Sequence, residues 1–298
     1  MISIIIPFHN EKYSLPILVA EIKDSLKNIN DSYEIIFVDD ASTDQGEKYI
    51  QEVSQKDSSV LFIKHLVRMG KGAALTSGLN KAKGETIIFM DADLQDSPHD
   101  IPKFIKKLDE GYDLVNGVRE VRKDNAIIKI YSKFGNLFLK KALRSPFTDI
   151  NCGFKIFRKA ILDNIVLYGN NFRFFPLAAY LRGYKTAEIT VANRERRYGR
   201  SKFGLTKPII GVIDMLTAYF IYQFSEQPLH FFGIIGGVIF TGGFVLVSIM
   251  TVQRIFFNML LYRRPAFLYA ILFIIVGIQI IMTGMIGELI VYLHKKNK

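Results

Sequence analysis

The sequence predicts an α/β domain on a mostly parallel sheet, followed by interfacial helices and a hairpin of two transmembrane helices. Three observations lead to this prediction. Short β-branched runs alternate with helix-like stretches over residues 1–115, acidic side chains follow several of these runs, and two long apolar segments occupy the last third of the chain. Hydrophobic residues make up 49% of the chain, an excess that favours attachment to a membrane.

Four apolar runs have the length and β-branched composition of buried parallel strands: Ile2–Ile6, Tyr33–Asp39, Val60–Lys64 and Thr86–Met90. The segments between these runs carry apolar residues at helical spacing. They predict helices over residues 15–29, 44–55 and 71–82, the second of them capped by Asp44. Strand-helix repetition of this kind gives an open sheet with right-handed crossovers.

Carboxylates occur where the first, second and fourth predicted strands end. In open α/β sheets, ligands bind beyond the carboxyl ends of the strands, so these side chains should gather at one crevice. They are Glu11, Asp39, Asp40, Asp44, Asp91 and Asp93. Each alone could be a helix cap or a solvated loop residue, which is our interpretation of Asp44. Six carboxylates together repel one another unless a cation is present.

The stretch "MDADLQDSP" has the residue types that hold Mg²⁺ or Mn²⁺. Asp91 and Asp93, one residue apart at a strand end, can share a divalent cation, and Gln95 could supply another oxygen. Such a site leaves positions open for phosphate, and its metal would neutralise a diphosphate leaving group. Asp96 precedes Ser97 and Pro98, and we interpret it as a turn residue rather than a ligand.

The net charge of +11 is concentrated in the middle of the chain. Residues 116–207 carry 20 basic and 6 acidic side chains, a net charge of +14. Beside apolar runs of membrane-spanning length, this block favours an anionic membrane surface or a phosphorylated substrate over nucleic acid. The single cysteine, Cys152, excludes an intrachain disulfide. Cys152, His9 and His65 have no companions at zinc-ligand spacing, so we interpret them as packing or polar-edge residues.

Two apolar segments are long enough to cross a bilayer, and we predict spans over residues 229–253 and 265–293. A two-span hairpin returns the C-terminus to the side of the N-terminal domain. The first residues do not resemble a signal peptide, and the basic block lies just before the first span, so both termini are expected in the cytoplasm. Residues 204–228 are predicted to form a juxtamembrane amphipathic segment, because Asp214 disfavours a third span there.

Three further features fit a membrane-bound chain. Ile127–Leu143 has the pattern of a helix lying at a charged surface, and Glu288 is expected at the membrane interface. The glycines in "GIIGG" and "TGG" of the first span would let helices pack closely. We therefore expect a homo-oligomer, a dimer or a tetramer, formed through the spans.

Four motifs occur in a characteristic order: "IIIPFHNE", "IIFVDDASTD", "GKGAAL" and "MDADLQDSP". Together they resemble the nucleotide-sugar-dependent glycosyltransferases of family 2, which have the GT-A fold. The resemblance continues through "TDINCGFKIFRK" and "RRYGRSKFG" to "GMIGELIVYL", and so covers nearly the whole chain. It points to the membrane-bound branch of the family, similar to dolichyl-phosphate mannose synthases and bacterial polyprenyl-phosphate glucosyltransferases.

This resemblance implies an inverting, metal-dependent hexosyltransferase of cell-envelope glycan synthesis. Its donor would be a nucleoside-diphosphate sugar, and its acceptor a polyprenyl phosphate such as undecaprenyl or dolichyl phosphate. Residues 1–203 would form the cytoplasmic catalytic domain of an integral protein of the inner or plasma membrane. The implied cofactor is Mg²⁺ or Mn²⁺.

The resemblance also assigns residues to roles. The positions that match the nucleoside pocket are Pro7, Phe8, Glu11 and Asp39. Those that match the metal and diphosphate site are Asp91, Asp93 and Gln95. Arg119 and Ser132 match positions that hold the phosphate of the acceptor lipid. The segment that closes over the nucleotide diphosphate is matched by Arg196, Ser201 and Lys202.

The role of Asp149 is left open by the sequence. A phosphate monoester is already an anion near neutral pH, so it can attack an anomeric carbon with little help from a base and mainly needs positioning. Asp149 could orient the acceptor or act as a catalytic base. In either role we group it with Asp93 and Arg119 as the predicted catalytic residues. It could equally form a structural hydrogen bond to the backbone near Gly153.

Alternative functions remain at this stage. One is a processive or other-acceptor family 2 glycosyltransferase, although a processive synthase would normally carry a Q-x-x-R-W type motif and this chain has no tryptophan. Another is an inactive, membrane-tethered nucleotide-sugar binding protein, against which the intact carboxylates argue. Met69 and Asn151 depart from the residues usual in the family, so the donor base and the sugar also stay open.

Overall fold

The computed structural model describes residues 1–27, 29–119, 140, 143–165, 167, 169–195, 207–257 and 265–296 of the 298-residue chain. The chain divides into two compact units, Met1–Met215 and Leu216–Lys298. The first unit is an α/β domain, and the described part of the second unit is helical. The predicted fold class is confirmed.

The first unit contains one mixed sheet of seven described strands. They are β1 (Ile2–Phe8), β2 (Tyr33–Asp39), β3 (Val60–Lys64), β4 (Thr86–Phe89), β5 (Leu114–Arg119), β6 (Lys155–Arg158) and β7 (Thr186–Val191). Their order is β3-β2-β1-β4-β6-β5-β7. The strands β3, β2, β1 and β4 are parallel, β6 is antiparallel to both of its neighbours, and β5 pairs with β7 in parallel.

Helices follow most of the strands. Those described are α1 (Leu15–Leu26), α2 (Gly46–Lys56), α3 (Lys71–Lys81), α4 (Ile101–Asp109), α5 (Phe175–Leu181), α6 (Lys207–Phe224), α7 (Pro228–Phe257) and α8 (Pro265–Lys296). Short 3-10 helices occupy Pro98–Asp100, Lys159–Asp163 and Gly169–Phe174.

The sheet is buried on both faces, as expected for parallel strands. Alternate side chains of β1 point to opposite sides: Ile4 and Ile6 join the core that includes α1, whereas Ile5 faces Gly78 of α3. A Cβ atom added at Gly78 would lie 2.4 Å from Ile5 Cγ2, so α3 lies very close to the strand. This close packing sets α3, and with it Lys71, against the carboxyl end of the sheet.

The four predicted strands and three predicted helices of residues 1–115 are confirmed: two strands match at both ends, and no other end differs by more than three residues. The prediction that Asp44 is the N-cap residue of the second helix was wrong. That helix begins at Gly46, and its N-cap position is Gln45, which has a left-handed φ of 66°. Asp44 accepts hydrogen bonds from the Gly46 N–H (2.9 Å) and the Lys12 N–H (2.8 Å), and so ties the loop after β1 to the start of α2.

In the second unit, α7 and α8 pack antiparallel, and both are long and apolar enough to cross a membrane by length and composition. The predicted spans lie within them. A Cβ atom at Gly236 would lie 2.7 Å from the Gly277 carbonyl oxygen, so the two backbones are in direct contact. The expected close packing through glycines is therefore found within one chain. Glu288 of α8 accepts a hydrogen bond from the Leu229 N–H in the first turn of α7 (3.3 Å).

Candidate active site

A cleft of about 210 Å³ opens at the carboxyl ends of β1, β2 and β4. Its lining residues are Pro7, Phe8, His9, Glu11, Asp40, Arg68, Gly70, Lys71, Asp91, Ala92 and Asp93. Six of them were predicted from the sequence, as site residues or as carboxylates of this crevice: Pro7, Phe8, Glu11, Asp40, Asp91 and Asp93. They come together because parallel strands present their carboxyl ends at the same edge of the sheet.

Asp39, at the end of β2, is fully buried (0% exposed). Its Oδ1 accepts a hydrogen bond from the Ser42 N–H (2.9 Å). Within the described part of the chain, its Oδ2 has no hydrogen-bond partner. A buried carboxylate oxygen without a donor is costly, so this atom is available to accept an N–H from a bound ligand. Glu11, also in the predicted nucleoside pocket, accepts a hydrogen bond from the Ser14 hydroxyl (3.1 Å).

Asp40 fixes the loop between β3 and α3. Its two oxygens accept hydrogen bonds from the backbone N–H groups of Met69 (2.8 Å) and Gly70 (2.9 Å). The ring of His65 donates to Asp40 through Nδ1 (3.1 Å), and its Nε2 is hydrogen-bonded to the Ser77 hydroxyl (2.9 Å). Burial alone would raise the pKa of Asp40, but these hydrogen bonds outweigh burial and hold the pKa below its usual value. His65 is thus a buried polar residue that orients Asp40.

Asp91 forms an ion pair with Lys71, the first residue of α3. Burial alone would raise the pKa of Asp91, but the positive charge of Lys71 outweighs it and lowers the pKa. The carboxylate also lies against Gly153, where an added Cβ atom would be 2.6 Å from Asp91 Oδ2. Lys71 and Gly153 were not predicted as site residues, although "GKGAAL" and "NCGFK" belong to motifs that the sequence analysis quoted.

Asp93 and Gln95 lie on a tight turn. The Gln95 N–H donates to Asp93 Oδ1 (3.1 Å), and the Gln95 carbonyl accepts from the Arg194 N–H (2.8 Å). Between them, Leu94 is buried and has a left-handed φ of 62°. That conformation costs a residue with a side chain about 1–2 kcal/mol, and it persists only where the surroundings enforce it. The turn that presents the D-x-D motif is therefore strained.

The charges around this turn favour a cation. Burial, together with the negative charges of Asp91 and Asp93, raises the pKa of Asp96 to about 7, so the three carboxylates lie close enough to repel one another. Among the described residues, no three His, Cys, Asp or Glu side chains converge in a way that could hold a metal ion by themselves. The oxygen donors of Asp91 and Asp93 fit Mg²⁺ or Mn²⁺ that takes further ligands from phosphate, which is the usual habit of Mg²⁺.

Arg119 and Asp149 form a bidentate ion pair beside this region. Arg119 Nε donates to Asp149 Oδ2 (2.7 Å), and Nη2 donates to Oδ1 (3.0 Å). Burial alone would lower the pKa of Arg119, but hydrogen bonding to Asp149 outweighs it and raises the pKa. The turn that carries Asp149 is held by Glu188, which accepts from the Thr148 N–H (2.9 Å), and by Asn116, which donates to the Asp149 carbonyl (2.9 Å). The sequence predicted both members of the ion pair as site residues but not their pairing.

Lys155 is a buried cation that sequence reasoning missed. It lies in β6, only 3% exposed, and its ammonium group donates to the carbonyls of Cys152 and Ile150 (3.5 Å to the latter). Burial lowers the pKa of Lys155 to about 8. A lysine inside the apolar run "FKIF" was the available signal, because lysine is almost never fully buried without a specific role.

Several predicted residues lie outside the part of the chain that the structure describes. They are Ser132 of the predicted acceptor-phosphate site, and Arg196, Ser201 and Lys202 of the predicted closing segment. Most of the predicted surface helix Ile127–Leu143 also falls there. The roles assigned to these residues stay predictions.

Comparison with solved structures identifies the class of fold. Glucosyl-3-phosphoglycerate synthase from Mycobacterium tuberculosis, solved with Mn²⁺ and uridine-diphosphate-glucose, matches with a TM-score of 0.57 at 21% identity. The match covers 74% of this chain and 78% of that protein. The same synthase solved with Mn²⁺, uridine-diphosphate-glucose and phosphoglyceric acid gives a TM-score of 0.56 at 18% identity, over 74% of this chain and 79% of that one. The first unit has the GT-A fold of nucleotide-sugar glycosyltransferases.

Comparison with known sequences identifies the family. The model for glycosyl transferase family 2 matches residues 3–166. The undecaprenyl-phosphate 4-deoxy-4-formamido-L-arabinose transferase of Proteus mirabilis is 34% identical over 97% of this chain and 88% of its own length. The transferase of the same description from Salmonella choleraesuis is 32% identical over the same shares. The chain belongs to glycosyl transferase family 2 and is a glycosyltransferase, as its motifs predicted.

Proposed function

We propose that the protein transfers a sugar from a nucleoside-diphosphate sugar to a polyprenyl phosphate, with inversion at the anomeric carbon. The observation that carries this proposal is the cleft at the carboxyl edge of the sheet, which is lined by Asp91 and Asp93. At the same edge, Asp39 is buried, and its Oδ2 has no hydrogen-bond partner among the described residues. The two relatives described above are both named as undecaprenyl-phosphate sugar transferases, which supports the lipid acceptor.

The donor would bind along this edge. Pro7, Phe8 and Glu11 would contact the nucleoside, and Asp39 Oδ2 would accept an N–H from the base. Asp91 and Asp93 would hold Mg²⁺ or Mn²⁺ on the diphosphate, with Gln95 as a further oxygen donor. The bound metal would neutralise negative charge on the leaving nucleoside diphosphate.

The acceptor phosphate would be positioned by Arg119, with Ser132 beside it. A guanidinium has five N–H groups, and the ion pair with Asp149 uses two of them. An oxygen of the acceptor phosphate would attack the anomeric carbon as the bond from that carbon to the donor diphosphate breaks. The geometry favours Asp149 as the residue that orients Arg119, because both of its oxygens already accept hydrogen bonds from that guanidinium.

The proposal extends to the arrangement of the chain in the membrane. Residues 1–203 would form the catalytic domain, residues 204–228 the juxtamembrane segment, and residues 229–253 and 265–293 the two spans. Both termini would lie in the cytoplasm, where nucleotide sugars are available. Assembly into a homo-oligomer remains part of the proposal.

A donor and acceptor screen tests the reaction. The full-length protein in detergent micelles is incubated with Mn²⁺, undecaprenyl or dolichyl phosphate, and labelled UDP-glucose, UDP-N-acetylglucosamine, GDP-mannose or nucleoside-diphosphate-linked 4-deoxy-4-formamido-L-arabinose. We expect one of these donors to label a lipid-extractable product. Label appearing only on water-soluble acceptors, or no transfer from any donor, would contradict the proposal.

The role of the D-x-D motif is tested with Asp93→Ala. Loss of a group that binds the metal and diphosphate should abolish transfer while leaving the fold largely intact, because Asp93 lies on a loop rather than in the core. Asp109→Ala removes an exposed aspartate at the end of α4 and serves as the matched control. Full activity of Asp93→Ala at saturating donor would exclude the metal role.

A further inference from the structure

The turn that presents Asp93 and Gln95 is held from outside by a short segment that follows β7. We call this segment, residues 192–195, the strap. The Arg194 N–H donates to the Gln95 carbonyl (2.8 Å), and the Ala192 N–H donates to Asp100 Oδ2 (3.0 Å). An isolated antiparallel bridge pairs Asp96 with Asn193 between these two contacts. The strap thus lies along the whole loop from Gln95 to Asp100.

The side chain of Arg194 adds a second set of contacts. Its Nη1 lies 2.8 Å from both carboxylate oxygens of Glu21 in α1, and its Nη2 donates to the Ser97 hydroxyl (3.0 Å). The ion pair is partly buried, with 28% of the Arg194 side chain and 21% of the Glu21 side chain exposed. One guanidinium therefore joins three parts of the fold: the strap, the loop after the D-x-D motif and a core helix.

These contacts bear on the candidate metal site because the turn is strained. Leu94 is held in the left-handed region, and relaxation of its backbone would rotate Asp93 and Gln95 away from their present directions. Local strain persists only when neighbouring structure over-determines it. The backbone of Arg194 supplies such a restraint at Gln95, its side chain supplies one at Ser97, and the ion pair with Glu21 of α1 anchors that side chain.

We propose that Arg194 is a positioning residue for metal and diphosphate binding, acting through the Gln95–Ser97 turn and anchored by Glu21. This inference rests on the proposed function of the D-x-D site. Arginine suits the position because its planar fork contacts Glu21 and Ser97 at once, whereas the single ammonium of lysine reaches one of them. No role for Arg194 could be predicted from the sequence, since its partners Ser97 and Glu21 lie 97 and 173 residues away along the chain.

The test measures metal binding directly as well as activity. Full-length wild type, Arg194→Ala, Arg194→Lys and Glu21→Gln are titrated with Mn²⁺ in the presence of UDP, and separately of GDP, while electron paramagnetic resonance follows free Mn²⁺. Loss of groups that support metal ligands weakens metal binding by about 10- to 100-fold, so we expect that range for Arg194→Ala. Arg194→Lys and Glu21→Gln should fall between this variant and wild type.

Transfer kinetics separate positioning from general damage. The Mn²⁺ concentration needed for half-maximal activity should rise in parallel with the binding constant, whereas KM for the polyprenyl phosphate should stay close to the wild-type value. The double variant Arg194→Ala/Glu21→Gln should bind Mn²⁺ no more weakly than Arg194→Ala alone, because the two residues act as one unit. Arg182→Ala, which removes an exposed arginine at the end of α5, should behave as wild type.

If Arg194→Ala does not fold, Arg194→Lys and Glu21→Gln decide, since they keep a charged or polar side chain at each position. Wild-type Mn²⁺ binding in these variants, or a lowered melting temperature with an unchanged Mn²⁺ constant, would overturn the positioning role. If wild type binds Mn²⁺ and nucleoside diphosphate but glycosylates no polyprenyl phosphate, the proposed function is wrong. The Mn²⁺ affinities of the variants and wild type then still test the positioning role of Arg194.

Discussion

Replacing Gly153 with alanine should disable the candidate metal site while leaving the backbone unstrained. Gly153 lies just before β6, and the Asp91 carboxylate fills the space that a side chain at this position would take. A Cβ atom built there would lie 2.6 Å from Asp91 Oδ2, 2.8 Å from Cγ and 3.1 Å from Oδ1. The backbone of Gly153 is outside the left-handed region, so alanine can adopt it. The effect should therefore come from the contact with Asp91.

The size of the effect follows from these distances. Carbon and oxygen atoms in ordinary contact are about 3.5 Å apart, so the carboxylate must move by about 1 Å or rotate away from its ion pair with Lys71. A displacement of about 1 Å at a catalytic group can lower the rate by about 100-fold, equivalent to about 2.7 kcal/mol of transition-state stabilisation. Overpacking should also destabilise the fold by about 1–3 kcal/mol.

The assay is the Mn²⁺ dependence of sugar transfer to polyprenyl phosphate, measured beside thermal unfolding in the same detergent. We expect the Mn²⁺ requirement of Gly153→Ala to rise and kcat/KM to fall by about two orders of magnitude, with unfolding that remains cooperative. Gly237→Ala is the control, because a Cβ atom at that position meets no atom within 4 Å. Wild-type Mn²⁺ dependence in folded Gly153→Ala would refute the idea that this glycine leaves room for the metal-binding carboxylate.

Three further predictions use the same preparation. Asp149→Asn should mainly raise KM for the acceptor if Asp149 positions Arg119 through their bidentate pair, whereas a fall in kcat with an altered pH profile would instead indicate a catalytic base. In the hairpin, Gly236→Ala should destabilise by about 1–3 kcal/mol in thermal unfolding, while Gly237→Ala one residue away should not, because only the first meets the facing backbone, 2.7 Å from the Gly277 carbonyl. Hydrogen bonding to Lys23 lowers the pKa of Asp57 to about 2, from about 4 in an unfolded chain, so this ion pair stabilises the fold above pH 4 and the effect is lost as pH falls toward 2. Lys23→Met should therefore lose about 1 kcal/mol or less at pH 7, measured by urea unfolding, and match wild type near pH 2.

The first half of the sheet could be predicted because its signals are local. Each of the first three strands is a short apolar run followed by a helix-like segment, and the fourth is a similar run that ends in the acidic motif, a repetition that predicts a parallel sheet. The second half could not be predicted in the same way. Strand β6 inserts between β4 and β5 although it follows β5 along the chain, and that pairing depends on contacts between segments far apart in sequence.

The candidate site shows the same contrast between local and distant signals. Asp91, Asp93 and Gln95 lie within five residues, so a strand end and one motif were enough to predict them. The groups that hold this motif in place come from α3, from the turn before β6 and from the strap, and none stands out locally as a ligand. Nothing local in the sequence assigns Gly153 or Arg194 a role in the site. Only the fold brings Gly153 next to Asp91 and Arg194 next to Gln95.

The cations around the acidic motif explain why this distant part of the site matters for its chemistry. Lys71 lowers the pKa of Asp91, while burial, together with the negative charges of Asp91 and Asp93, raises the pKa of Asp96 to about 7, so the cluster is only partly neutralised by the protein. A fully neutralised cluster would have little remaining affinity for a divalent cation, and an unopposed one would be too unstable to keep buried. The cationic side chains therefore do not fully neutralise the carboxylates at the end of β4. A metal ion bound together with the donor diphosphate would supply the missing positive charge, so metal binding and donor binding would favour each other.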